Sequence, residues 1–193
     1  MYDLPTSILI EDREFKIRNK GDFRVILDCF VALNDIELEE DLRIATGLII
    51  FYEDFNSLDD VAEINPDLLS SLIASMYKFF NCNEESIGAV KPYRLVDWEN
   101  DSQMVIASIN AVAHKEIRSE PYTHWWTFMG YYLNIGDGAF ANIISIREKI
   151  VKQKKLEKYE QEFVNDNPQY FKWEWRTDEQ LQEDKLVQEM WGE

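Results

Sequence analysis

Histidine and cysteine are almost missing from this chain, with two of each in 193 residues. Cys29 and Cys82 both sit in apolar helical patterns, and neither has a second Cys or a His at metal-ligand spacing. They read as buried free thiols suited to a reducing compartment, not as a disulfide or a metal site. His114 and His124 form no HxxxH or HxH pair, and no G-x-S-x-G elbow presents a nucleophile. Glycine is sparse as well. Gly136-Asp137-Gly138 follows a helical pattern, whereas a dinucleotide fingerprint follows a strand. Bases are outnumbered, 20 Lys and Arg against 37 Asp and Glu, for a net charge of −17. That balance leaves no broad basic face to neutralise phosphates, so nucleic acid is not an expected partner. The longest apolar run, Thr46 to Tyr52, stops at Glu53-Asp54, well short of the roughly 20 residues of a membrane span. Met1 to Pro5 shows neither the basic nor the apolar region of a signal peptide.

What the chain does have is aromatic and aliphatic mass. Hydrophobic residues make up 46%, with eleven Phe, nine Tyr and six Trp, enough for one domain with a real core. Ser7–Ile10 and Glu14–Arg18 alternate around Glu11-Asp12-Arg13, which predicts a short β-hairpin. After Gly21 the period changes: Phe23, Ile26, Leu27, Phe30 and Leu33 mark an amphipathic helix ending near Asn34-Asp35. Two apolar faces between about Leu38 and Asp54 predict a helix buried on more than one side. Asn65-Pro66-Asp67 is a strong helix start, and Asn81-Cys82-Asn83 its stop. Residues 88 to 96 lack helical signals and join the halves. Further helices follow, one capped by Asp97 or Asp101, one from His124 to Ile135, and a long one from Ala139 to Phe163 that Asp137 would cap. The expectation is a mainly α protein: one domain of six to eight helices with the hairpin over residues 1–164, and a C-terminal arm over 165–193.

Charge is uneven along this layout. Residues 1–146 carry net −14, residues 147–160 net +3, and residues 161–193 net −6. The basic strip holds Arg147, Lys149, Lys152, Lys154, Lys155 and Lys158. A solvated helix face pairing with the protein's own acids is the plain reading. The sharper one is a docking site for an acidic partner or another copy, with Arg147, Lys152 and Lys155 as candidate contacts. In the arm, Trp173 and Trp175 alternate with charges, and Trp191 closes a short acidic segment. These indoles either fold back on the domain or anchor another molecule, as exposed Trp does at binding hot spots. His124 beside Trp125-Trp126 reads as a hydrogen-bonded residue at a helix start among packing aromatics, not a ligand or base. No pair stands out among the 37 acids, and no catalytic, metal or cofactor residue is assigned.

The order Asp97-Trp98-Glu99-Asn100-Asp101, a helix, His124-Trp125-Trp126-Thr127-Phe128, then Ile144-Ser145-Ile146-Arg147 with lysines following resembles the bacteriophage gene-product-fifteen family. Leu4-Pro5-Thr6, the hairpin and Phe23-Arg24 extend the likeness over most of the chain. The resemblance implies a protein of the tail module of long-tailed phages of Gram-positive bacteria, encoded near the tape measure gene in the position of tail assembly chaperones. It further implies a non-catalytic protein that coats the tape measure protein in the host cytoplasm, with the tail tube protein as another candidate partner, and that is absent from the mature virion. Homo-oligomers fit such a coat. Three other readings stand beside it: a structural tail component kept in the virion, a small enzyme with an unrecognised acid or His site, and a regulatory binding domain unrelated to phage assembly.

Overall fold

A computed structural model describes residues 3–35, 37–84 and 95–171. Two strands, β1 (Ser7–Ile10) and β2 (Arg13–Lys16), pair antiparallel, with Ser7 opposite Lys16 and Ile10 opposite Arg13. The second strand begins and ends earlier than its alternation predicts. Glu11 and Asp12 both take positive φ, 48° and 64°, the conformation that a two-residue hairpin turn requires. Phe15 fastens the hairpin to the domain, its buried ring 5.9 Å from Tyr52 and 6.2 Å from Phe55.

Eight α-helices follow among the described residues: α1 (Phe23–Leu33), α2 (Glu40–Phe51), α3 (Leu58–Ala62), α4 (Pro66–Phe80), α5 (Ser102–Ala113), α6 (Trp125–Leu133), α7 (Ala139–Val151) and α8 (Lys158–Asp166). The helix α2 packs against α1, α3 and α4, which is why its sequence has more than one apolar face. Arg18 closes the far end of α2 by donating to the carbonyls of Ile49, Tyr52 and Phe55, each at 2.9 Å. At the other end of the core the two indoles of α6 cap α4: Trp125 Nε1 donates to Phe80 O at 2.9 Å and Trp126 Nε1 to Phe79 O at 3.0 Å. These bonds satisfy carbonyls that a helix end leaves without partners. Around them Phe23 stacks on Phe128 at 4.6 Å, and Phe51 meets Phe79 and Phe80 edge-on.

Helix boundaries expose where local signals mislead. Residues Ala139 to Phe163 are not one helix. The chain breaks after Val151 in a Schellman turn, Gln153 taking φ 51° while Lys154 N–H bonds Lys149 O and Gln153 N–H bonds Ile150 O. It restarts at Lys158, where the Glu160 carboxylate accepts the Glu157 N–H at 2.9 Å. The same turn ends α4 with Cys82 at φ 56°, as Asn81-Cys82-Asn83 suggested. Asp60 and Ser57 cap each other and start α3. Asp137 does not cap α7, whose N-cap position is Gly138, without a side-chain cap. Asp101 does stand at the start of α5, but its carboxylate is used elsewhere.

Gly47 of α2 lies against α1: a β-carbon there would come within 2.8 Å of the Leu33 side chain. Gly47→Leu is therefore expected to lower the unfolding free energy by about 1–3 kcal/mol through overpacking, read by urea denaturation. An unchanged or higher midpoint would show that Leu33 yields without cost.

Candidate partner-binding surface

Arg147 organises the C-terminal side of the molecule. As a member of the predicted basic strip it belongs on the surface, but α7 turns it inward and only 4% of it is exposed. Its guanidinium forms a two-pronged ion pair with the Asp101 carboxylate, Nη2 to Oδ1 being 2.8 Å. It also donates to Leu95 O at 2.9 Å and, through Nε and Nη2, to Tyr170 O at 2.8 and 2.6 Å. Asp101 in turn accepts the Asp97 N–H at 2.9 Å. This is the geometry in which a buried charge is tolerated: paired, bidentate, and with its remaining protons used. Arg147 is thus a strut inside the protein, not a surface cation. The misreading has a simple source, since Arg147 shares its sequence neighbourhood with five lysines while its partner lies 46 residues away.

The lysines do lie outside. Lys149 is held at 2.6 Å by Glu160, whose carboxyl it keeps below the usual carboxylate range. Lys152 pairs with Glu148 one turn back, and Lys158 sits 3.9 Å from Glu162. Lys154 and Lys155 are exposed on the link between α7 and α8, and Tyr159, in the first turn of α8, is 64% exposed. Phe163 meets Phe171 edge-on at 6.1 Å, so Tyr170 and Phe171, within the arm predicted over 165–193, are tied to α7 and α8. Trp173, Trp175 and Trp191 lie outside the described residues.

His124 and Cys29 are engaged structurally, Cys29 Sγ lying 3.8 Å from Gly47 O, whereas His114 is exposed at the end of α5. His124 caps α6: its Nδ1 accepts the Trp126 N–H, and the other ring nitrogen, 3.0 Å from Pro5 O, then carries the proton. Burial pushes its pKa down, so the neutral ring persists. This arrangement matches its reading as a hydrogen-bonded residue at a helix start. Burial raises both thiols, Cys82 to about 11 and Cys29 further, which keeps them protonated and poorly nucleophilic. Among the described residues no group of three or more His, Cys, Asp or Glu could hold a metal ion.

Sequence reasoning did not find the open groove of about 870 Å³ between Lys20, Arg24, Asp28, Arg118 and Tyr122. Its floor is a structural knot. Arg24 bonds both oxygens of Asp22 at 3.0 Å and the carbonyls of Arg118 and Glu120, and Tyr122 Oη donates to Lys20 O. Asp22 also takes the Thr123 N–H at 2.9 Å. No local pattern could reveal a contact spanning about a hundred residues.

The Trp98, Trp125, Phe128 and Arg147 positions that carried the resemblance are therefore the ones that build the core and its buried ion pair. A family model described as Bacteriophage Gp15 protein matches residues 1–172. The chain belongs to the bacteriophage Gp15 family. No curated protein and no solved structure matches it. Within this family member the ion pair gives a direct test. Arg147→Met strands the Asp101 carboxylate and is expected to cost about 3–5 kcal/mol by chemical denaturation. Adding Asp101→Asn should recover part of that loss. A double variant no more stable than the single would mean that the backbone bonds to Leu95 and Tyr170, not the charge pair, carry the stability.

His124 gives a pH signature. Its folded pKa lies below its unfolded value of about 6.5, so its contribution is complete above that pH and is lost as pH falls through the window beneath it. As pH falls below about 6.5 the wild type should lose stability more steeply than His124→Asn, with both followed by thermal melts. Parallel pH profiles would remove His124 as the cause.

Proposed function

We propose that this phage protein is a non-catalytic tail assembly chaperone that binds the tape measure protein and keeps it in solution until the tail tube forms around it. The observation that carries this reading is a combination. The body is helical and aromatic-cored, His124 and Cys29 are engaged in hydrogen bonds within the fold, and the net charge of −17 is large for its size. A long helical client with bare apolar stripes aggregates unless they are covered. A strongly acidic cover keeps the resulting complex apart from its neighbours. Leu9 and Leu133, each 70% exposed, and Tyr159 supply apolar contacts among the surface charges. The host cytoplasm is the matching location, with the tail tube protein as a second partner. The alternative of a tail component kept in the virion is less well supported, since a tube subunit needs extensive intersubunit sheet and the described residues hold only a two-stranded hairpin.

Co-expression tests the proposal. The tape measure protein should move from the pellet to the soluble fraction and co-purify with this chain. Purified virions should lack the chain by mass spectrometry. Removing residues 172–193, with Trp173, Trp175 and Trp191, should abolish co-purification if the arm holds the client, and leave it intact if the helical body does. A client that stays insoluble in the presence of the full chain would overturn the function itself.

A further inference from the structure

Charge is unevenly spread among the described residues. Residues 37–67 hold ten carboxylates against the single base Arg43, a net −9. Many of these acids, including Glu39, Glu40, Asp41, Asp59, Glu63 and Asp67, are exposed at the starts of α2 and α4 and along α3. The lysine strip belongs to a different part of the fold. There α7 packs on α5 and α8 on the final turn, whereas α3 packs on α2. The strip is only partly neutralised from within: Lys149 and Lys152 have carboxylate partners, while Lys154 and Lys155 form no salt bridge among the described residues. Each stretch also shows one exposed apolar side chain, Tyr159, which follows Lys158 in the chain and lies close enough to Lys149 to act on its charge, and Leu58, 48% exposed, which precedes Asp59.

We infer that copies of this chain associate head to tail, the Lys154–Lys155–Tyr159 face of one docking on the Leu58–Asp59–Glu63 edge of the next. Two different patches in contact make a heterologous interface. Such an interface repeats along an open chain unless its rotation happens to close a ring. The contact is weak by design of its chemistry, because exposed ion pairs contribute little singly and are screened by salt. The charge of −17 opposes it at long range. Moderate salt, with a Debye length of about 8–10 Å, damps that long-range repulsion while sparing pairs in contact. Association is therefore strongest near ~0.1 M salt and lost near ~1 M. The inference goes beyond the chaperone reading and needs no client, so its failure would leave that reading standing.

Sedimentation velocity of the full chain over a range of protein and salt concentrations reads the effect. The wild type should give a concentration-dependent series of species near 0.1 M salt that collapses to monomer near 1 M. Lys154→Glu/Lys155→Glu and Asp59→Lys/Glu63→Lys should each weaken association at least tenfold on their own. Mixing the two variants should restore it, since each then offers a charge-complementary face to the other. Circular dichroism confirms that both variants fold; should the edge variant fail to fold, Asp59→Asn/Glu63→Gln replaces it and should still weaken association. A wild type that is monomeric under all conditions overturns the inference. So does a discrete dimer untouched by either charge reversal, or a mixture that stays monomeric.

Discussion

A guanidinium buried without a partner is among the most costly things a small domain can contain, and Arg147 is buried. Its environment is consequently over-determined: a carboxylate from the start of α5, a carbonyl from the segment entering that helix, and a carbonyl from the turn after α8. Stretches of chain 23 to 52 residues away from Arg147 in sequence are thereby required to meet at one point. Ile143 and Ile146 supply the apolar packing of α7, but apolar packing is not directional. The ion pair selects one register for α7 over the core and places the end of α8 relative to it. Replacing such a pair with hydrophobic residues can be neutral for stability, so its contribution here lies in specifying arrangement.

The core around α1, α2, α4 and α6 is built differently. There aromatic rings do the packing, and hydrogen bonds from side chains finish the helix ends. Arg18 serves α2, and the indoles of Trp125 and Trp126 serve α4. His124 and Asp22 perform similar work at the starts of α6 and α1. The polar residues that look chemically interesting in the chain are thus mostly occupied in terminating helices. The exposed remainder is strongly charged and sparsely apolar, a surface suited to holding partners in solution. This is the physical basis of the proposal that this Gp15 family member acts by adhesion.

Much of the helical layout could be read from periodicity and caps, for definite reasons. Asn65-Pro66 opens α4 because both residues favour a helix start irrespective of what packs nearby. Gly21 announces the end of the hairpin region because its φ of 76° excludes most other residues, and a β-carbon would meet Phe79 at 2.8 Å. The break between α7 and α8 was hidden, because Gln153 sits in a left-handed conformation that its identity does not advertise. The α3 helix was hidden by brevity: five residues cannot display a period.

By itself, then, the chain determined its class, its hairpin, most of its helices, its acidic character and its family, since these follow from local propensities and summed charge. Which strip residue is a strut and which are surface lysines was decided only in three dimensions. Arg147, Lys152 and Lys155 carry the same charge, and nothing within a few residues separates them. Burial of the first against Asp101 is set by how α7 crosses α5, a consequence of packing between elements distant along the chain. The groove under Tyr122 has the same origin, being formed by backbone and side chains about a hundred residues apart that only the completed fold brings together.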